Sequence, residues 1–201
     1  ALAKDHAPFR PFETQIDENA ALNVLRSATD GADDGEIFLE RKRSENLVFD
    51  DNRLKNASYD ASEGFGLRAV KGETTGYAHS TQMTEAALKR AAETVRLAVG
   101  AGGATLAPAP QATNQRLYTD SDPMADAGFS LKVDTLREID AFTRDLDPRV
   151  VQVSASMSAS LQEVEILRPE GIRLRDVRPM TRLNVSVIVE QNGRRESGSA
   201  G

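Results

Sequence analysis

Apolar positions in this chain recur with two different periods, and the change from one to the other divides it into segments. Ala21, Leu22, Leu25 and Ala28 follow helical spacing, so Thr14–Ala28 is expected to be a helix, with Thr14 or Asp17 as its cap and Gly31 and Asp33-Asp34-Gly35 beyond its end. Thr84–Val99 gives the clearest helical signal: Leu88, Ala91, Ala92, Val95, Ala98 and Val99 form one stripe, Thr84 is a natural N-cap, Glu85 and Lys89 are paired four residues apart, and Gly100 is the stop. A third helix is expected over Lys132–Leu146, with Val133, Leu136, Ile139, Thr143 and Leu146 facing inward and Asp147-Pro148 ending it.

The intervening segments alternate with the two-residue period of strands. Glu36–Ser80 reads as short strands separated by polar turns. Leu47 and Phe49 share one side of a strand that turns at Asp50-Asp51-Asn52, a second run covers Leu54–Tyr59, a more buried strand carries Phe65, Leu67 and Ala69, and Lys71-Gly72-Glu73 turns back towards Tyr77. From Val151 to Leu161, apolar residues alternate with Ser154, Ser156, Ser158 and Ser160, and the apolar parity then shifts to Val164 and Ile166, which predicts a bulge. Leu183, Val185, Val187 and Val189 form another alternation, closed by the hairpin signal Asn192-Gly193, which predicts a return strand from Arg194. A hairpin whose return strand is cut so soon after its turn suggests that the natural polypeptide continues. Ala101–Pro123, rich in glycine and proline, reads as an exposed connection. The expected fold class is α+β, a largely antiparallel sheet of long meandering strands with about three packed helices. The expected organisation is one region, 1–201, with a possible subdivision into 1–123 and 124–201.

Composition narrows the functional classes. A chain of 201 residues, 39% hydrophobic and 28% charged, can bury a core, and its net charge of −6 lacks the basic footprint of a nucleic-acid binder. Arg41-Lys42-Arg43, flanked by Glu40 and Glu45, reads as a solvated strand face. The chain has no cysteine, which removes disulfides and thiolate chemistry from this segment and fits a reducing cytoplasm, and no apolar stretch reaches the roughly 20 residues that span a bilayer.

Candidate chemistry is sparse. His6 and His79 are the only histidines and stand at no metal-ligand spacing. Asp30–Gly35 has the acidic look of a calcium loop, but Ala32 and Arg41 fall where ligands are needed. Gly100, Gly102 and Gly103 follow a helix rather than a strand, so they make no phosphate loop, and Gly64-Phe65-Gly66 is read as close strand packing or a bend. The serine row has no neighbouring base to activate a nucleophile, so it is either a solvated sheet face or the lining of a cleft or subunit contact. No catalytic, cofactor-binding or metal-ligating residue is assigned.

The Glu-Arg-Lys-Arg-Ser strand, the turn Asp50-Asp51-Asn52-Arg53-Leu54-Lys55 and the strand Glu63-Gly64-Phe65-Gly66-Leu67-Arg68 resemble the amino-terminal domain of the TldD/PmbA metallopeptidases. The similarity extends through Arg149–Arg168, Arg178-Pro179-Met180-Thr181-Arg182 and Gly193–Gly201, and favours the TldD-like over the PmbA-like (TldE) subunit. The resemblance implies a cytoplasmic zinc peptidase of two associating subunits, linked to maturation of modified peptides, antitoxin degradation and the old label of DNA gyrase modulator. Its metal site, a His-Glu-x-x-x-His helix with a later ligand, would polarise the scissile carbonyl and activate water. No position here matches that motif. Zinc is therefore expected in the parent enzyme and not in this segment, which would shape the substrate cleft and subunit contacts. The partners implied are a peptide substrate and a TldE/PmbA-like subunit or a second copy, without direct nucleic-acid or membrane binding. The rival class is a free-standing, non-enzymatic interaction module.

Overall fold

A computed structural model describes residues 7–100 and 119–201. In chain order the elements are α1 (Pro11–Thr14), α2 (Glu18–Ala28), β1 (Asp34–Asp50), β2 (Arg53–Lys71), β3 (Thr74–Ser80), α3 (Glu85–Val99), α4 (Phe129–Leu146), β4 (Val150–Leu167), β5 (Arg173–Gln191) and β6 (Arg194–Ala200). The strands form an antiparallel six-stranded sheet in the order β3-β2-β1-β4-β5-β6, so the fold is α+β as expected, with the four-residue α1 added to the three anticipated helices. The supposed short strands of Glu36–Ser80 are instead two very long ones, of 17 and 19 residues, followed by β3. Leu54–Tyr59 and Phe65–Ala69 belong to the same strand; the polar, exposed stretch between them hides its continuity because neither face there is buried.

The described residues gather into two compact units, one of 7–42, 62–100 and 162–177 and the other of 43–61, 119–161 and 178–201. The chain passes from one to the other inside β1, β2, β4 and β5.

In the first unit, Asp17 caps α2 by accepting the Ala20 N–H at 2.8 Å, and Thr84 caps α3 through the Ala87 N–H at 3.3 Å. The buried stripe of α2 (Ala21, Leu25, Ala28) and that of α3 (Leu88, Ala91, Val95, Val99) share one apolar core with Ile37, Leu39, Phe65, Leu67, Ala69 and Leu167. β2 and β3 pair from Phe65↔Ser80 to Lys71↔Thr74. At Gly76 on β3 the strand lies so close to α3 that a Cβ would stand 2.7 Å from the Val95 carbonyl oxygen. Only glycine permits that seating.

The second unit is built around α4, whose Leu136 packs into a small core with Leu47, Phe49 and Ala155. The helix starts at Phe129 rather than Lys132; of the face expected to point inward, Leu136 is buried, Ile139 packs against the same core and Val133 and Thr143 are partly buried, while Leu146 is 67% exposed. Apolar spacing did not show that two charged side chains are buried on the same side, Lys132 drawn in by Glu45 and Asp140 by Arg144. Two of the two-residue hairpin turns, Asp51-Asn52 and Asn192-Gly193, hold positive φ at both positions, the geometry that matches strand twist. The expected return strand exists as β6, paired with β5 from Val185↔Ala200 to Gln191↔Arg194.

Beyond α4, Asp147 accepts the Arg149 backbone N–H at 2.9 Å and its guanidinium at 2.6 Å. These bonds, the side-chain one foremost, hold its carboxyl at about 2, below the ordinary 3.8. The folded value lies below the unfolded one, so the contribution to stability is present above about pH 4 and is lost as pH falls towards 2. An NMR carboxyl titration of Asp147 is expected to show a midpoint near 2, and Arg149→Ala to return it to the ordinary range. Gly76→Ala is expected to destabilise the chain by about 1–3 kcal/mol, read as a lower urea midpoint at unchanged slope.

Candidate functional site

Buried charge in the first unit is the most conspicuous departure from the sequence reading. On β4 the apolar alternation ends because Glu163 and Glu165 take inward places in line with Leu161 and Leu167, while Val164, where the apolar pattern was expected to shift, is buried as well. Each carboxylate is neutralised by an arginine that also stacks on a phenylalanine. Arg41 meets Glu163 at 2.7 Å and lies 5.5 Å over the Phe9 ring, and the Phe9 N–H donates to the other Glu163 oxygen at 2.9 Å. Arg173 grips Glu165 with two bonds, 3.0 and 3.1 Å, reaches Glu18 at 3.1 Å and lies 5.3 Å over Phe12. The Arg173 guanidinium is held protonated more firmly than usual, chiefly by its bond to Glu165. These pairs fasten residues 9–12 onto the sheet. The polar atoms are consumed by one another, so this cluster is a structural clamp.

Arg41-Lys42-Arg43 is therefore not a solvated face, and that reading is corrected. Strand alternation turns Arg41 and Arg43 inward, where Glu163 and Asp122 respectively, both far away in sequence, supply the counter-charge. Only Lys42 is fully exposed.

The acidic run after α2 acts as a helix-to-strand turn. Gly31 adopts φ 72°, Asp33 accepts the Gly72 N–H at 2.5 Å, and Asp34 is held by Arg68 at 2.9 Å and Arg168 at 2.6 Å. His79 is exposed on β3, stacked on Tyr77 with centroids 5.8 Å apart. Gly66 lies beneath that tyrosine, where a Cβ would meet the Tyr77 hydroxyl at 2.7 Å, and a Cβ on Gly64 would meet the Ser80 carbonyl at 2.7 Å, so close strand packing accounts for both glycines. His6, Gly102, Gly103 and most of the connection 101–123 lie outside the described residues.

Among the described residues, no three His, Cys, Asp or Glu side chains cluster as a metal would require. The buried carboxylates that come nearest to such chemistry are already bound to arginines. The described residues do not fit the zinc site that the sequence resemblance implies for the parent.

Two recesses of the second unit could receive a ligand. One, of about 440 Å³, is hydroxyl-rich: Ser154 of the serine row joins Ser186, Ser197 and Ser199, with Gln152 beside them. The other, of about 360 Å³, lies between α4 and strands β1, β4 and β5, with walls from Leu47, Leu131, Met157, Ala159 and Leu183. In its wall, Lys132 (6% exposed) donates to Glu45 at 2.5 Å and to the Met124 carbonyl at 3.1 Å. The sequence reading found the serines but missed this apolar recess. The available signal was a lysine at an inward position of α4, opposite a glutamate at an inward position of β1.

Breaking a buried pair strands its partner, whereas replacing both charges does not. Glu165→Ala is expected to cost about 3 kcal/mol in urea unfolding, and Glu165→Ala with Arg173→Met to cost less than the single change. A larger loss in the double variant would contradict the clamp.

Comparison with known proteins matches two consecutive stretches of the chain. Residues 35–99 match the model described as PmbA/TldA metallopeptidase domain 1, and residues 122–201 match the PmbA/TldA metallopeptidase central domain. A metalloprotease TldD homolog of Haemophilus influenzae is 34% identical over 84% of this chain, which covers 36% of that protein. One from Buchnera aphidicola subsp. Acyrthosiphon pisum is 29% identical over 92% of this chain and 38% of its own length. The chain thus spans well under half the length of these curated relatives. Among solved structures, a protein titled a modulator of DNA gyrase from Bacteroides thetaiotaomicron has a TM-score of 0.68 at 12% identity, covering 90% of this chain and 43% of the other. TldE from Thermococcus kodakarensis has a TM-score of 0.66 at 16% identity, over 90% and 42%. At those identities the structures speak for the fold alone. With both domain models matched along its length, the chain belongs to the TldD/PmbA metallopeptidase family and carries that family's first and central domains.

Proposed function

We propose that this chain is the amino-terminal, non-catalytic part of a TldD-like zinc metallopeptidase that hydrolyses peptides or small unfolded proteins in the cytoplasm. The observation that carries the reading is the pair of matches, first domain then central domain, in a chain whose curated relatives are named metalloproteases. In this reading residues 1–123 and 124–201 are successive portions of one amino-terminal region, the second leading towards the catalytic domain, and no residue of either holds the zinc. Their contribution is architectural. Long strands with open recesses wall the cleft in which an extended peptide is presented, because strand edges bind peptide backbone and recesses beside them sort side chains. In this reading the chain associates with a TldE/PmbA-like subunit or with a second copy of itself.

The parent protein, assayed with its partner subunit, is expected to hold stoichiometric zinc and to cleave an unfolded polypeptide such as casein, and the 201-residue chain alone to do neither. Restoration of cleavage when this chain is added to a parent lacking it would support the architectural role. Tight, stoichiometric zinc in the isolated chain, or full activity of a parent without it, would overturn the assignment.

A further inference from the structure

We infer that the outer edge of β2 over residues 53–63 is an interface for a second copy of this chain, the two edges pairing antiparallel about a two-fold axis at Ser58. The inference goes beyond the peptidase reading and does not rest on it.

The edge is left open by the course of the chain itself. β2 lies between β3 and β1 in the sheet, yet β3 pairs only with Phe65 to Lys71 of its 19 residues. After Ser80 the chain leaves β3 and enters α3, whose cap is Thr84. Residues 53–63 therefore have β1 on one side and, among the described residues, no strand on the other. Every one of them is exposed. They include no proline and no glycine, so the strand is regular and each residue keeps its backbone donor. Such a row of unpaired N–H and C=O groups is a template for another strand.

The order of charges selects which strand. Arg53 and Lys55 stand at one end of the stretch, Asp60 and Glu63 at the other. Among the described residues none of the four is in an ion pair, and Glu63 accepts the exposed Gln15 amide at 3.1 Å. A two-fold pairing that uses the whole stretch sets Ser58 opposite its own copy. It also sets Arg53 opposite the second copy's Glu63, Lys55 diagonal to the same carboxylate, and Asn56 opposite Asp60. Opposite charges facing each other across a strand pair are favourable, and like charges are not. A parallel pairing in register would instead bring Arg53 onto Arg53 and Glu63 onto Glu63. Tyr59, 40% exposed, comes opposite Ala57 and gains apolar cover.

Charged residues on an edge ordinarily keep other strands away. Here their segregation makes one partner and one register attractive. The contact is isologous and uses up both edges, so it closes as a dimer and does not propagate into a filament.

Ser58→Cys puts a thiol at the axis of a chain that has no cysteine. Opposed residues of an antiparallel pair lie about 4.5–5.5 Å apart at Cα, within reach of a disulfide. Under mild oxidation this variant is expected to form a disulfide-linked dimer at least tenfold faster than Leu97→Cys, a control at an 84% exposed position of α3. In sedimentation equilibrium the 201-residue chain is expected to dimerise. Arg53→Glu is expected to weaken the dimer at least tenfold, and Arg53→Glu with Glu63→Arg to restore it to within about fivefold. All these positions are exposed, and circular dichroism checks that each variant is folded. The parent protein carrying Ser58→Cys is expected to cross-link as the chain does. A chain that stays monomeric, equal cross-linking of Ser58→Cys and Leu97→Cys, a charge swap that restores nothing, or a parent whose edge does not cross-link would each overturn the interface. None of these readouts involves zinc or cleavage, so their failure leaves the peptidase reading standing.

Discussion

Two carboxylates turned into the interior of β4 set much of the first unit. A buried charge is tolerated only when it is paired and hydrogen-bonded, so Glu163 and Glu165 each require a cation delivered from elsewhere in the chain. Arg41 arrives from β1 and Arg173 from β5, and each guanidinium then offers its face to an aromatic ring of residues 9–12. One requirement thereby ties two strands and the leading segment together. It also spends the acidic groups most able to bind a metal. Their place in the fold explains why acidic residues abound without forming a coordinating cluster among the described residues.

The second unit is put together differently. Its fully buried apolar core is small, and the polar members of its interior are joined pair by pair: Arg43 with Asp122, Lys132 with Glu45, Asp140 with Arg144, which also reaches Asp51. Apolar residues that might have enlarged the core instead remain in water, Phe142 at 66% exposure and Leu131 along the same helix. A core arranged in this way leaves concavities. The second unit holds two such recesses, one apolar and one lined with serine hydroxyls.

Several elements were legible from local pattern. The caps Asp17 and Thr84, the stripe of α3 and the Asn192-Gly193 turn each depend on residues close in sequence, and their geometry followed. Positions governed by distant partners were misread. Arg43 looks solvated until Asp122 meets it, and nothing local marks Lys132 as the residue that Glu45 draws inward. Strand length was misjudged for the opposite reason: β2 runs through a stretch buried on neither face, so no alternation announces it.

The sequence by itself determined the α+β class, the helices α2 and α3, the hairpins and, through its resemblance, the family, because periodicity, capping and turn chemistry act over a few residues and family motifs are read in order along the chain. Only the tertiary structure decided which charges are buried, which face α4 presents, and where strands from three parts of the chain enclose the apolar recess. Those features arise from side chains dozens of residues apart, whose mutual neutralisation or mutual exposure no local pattern encodes.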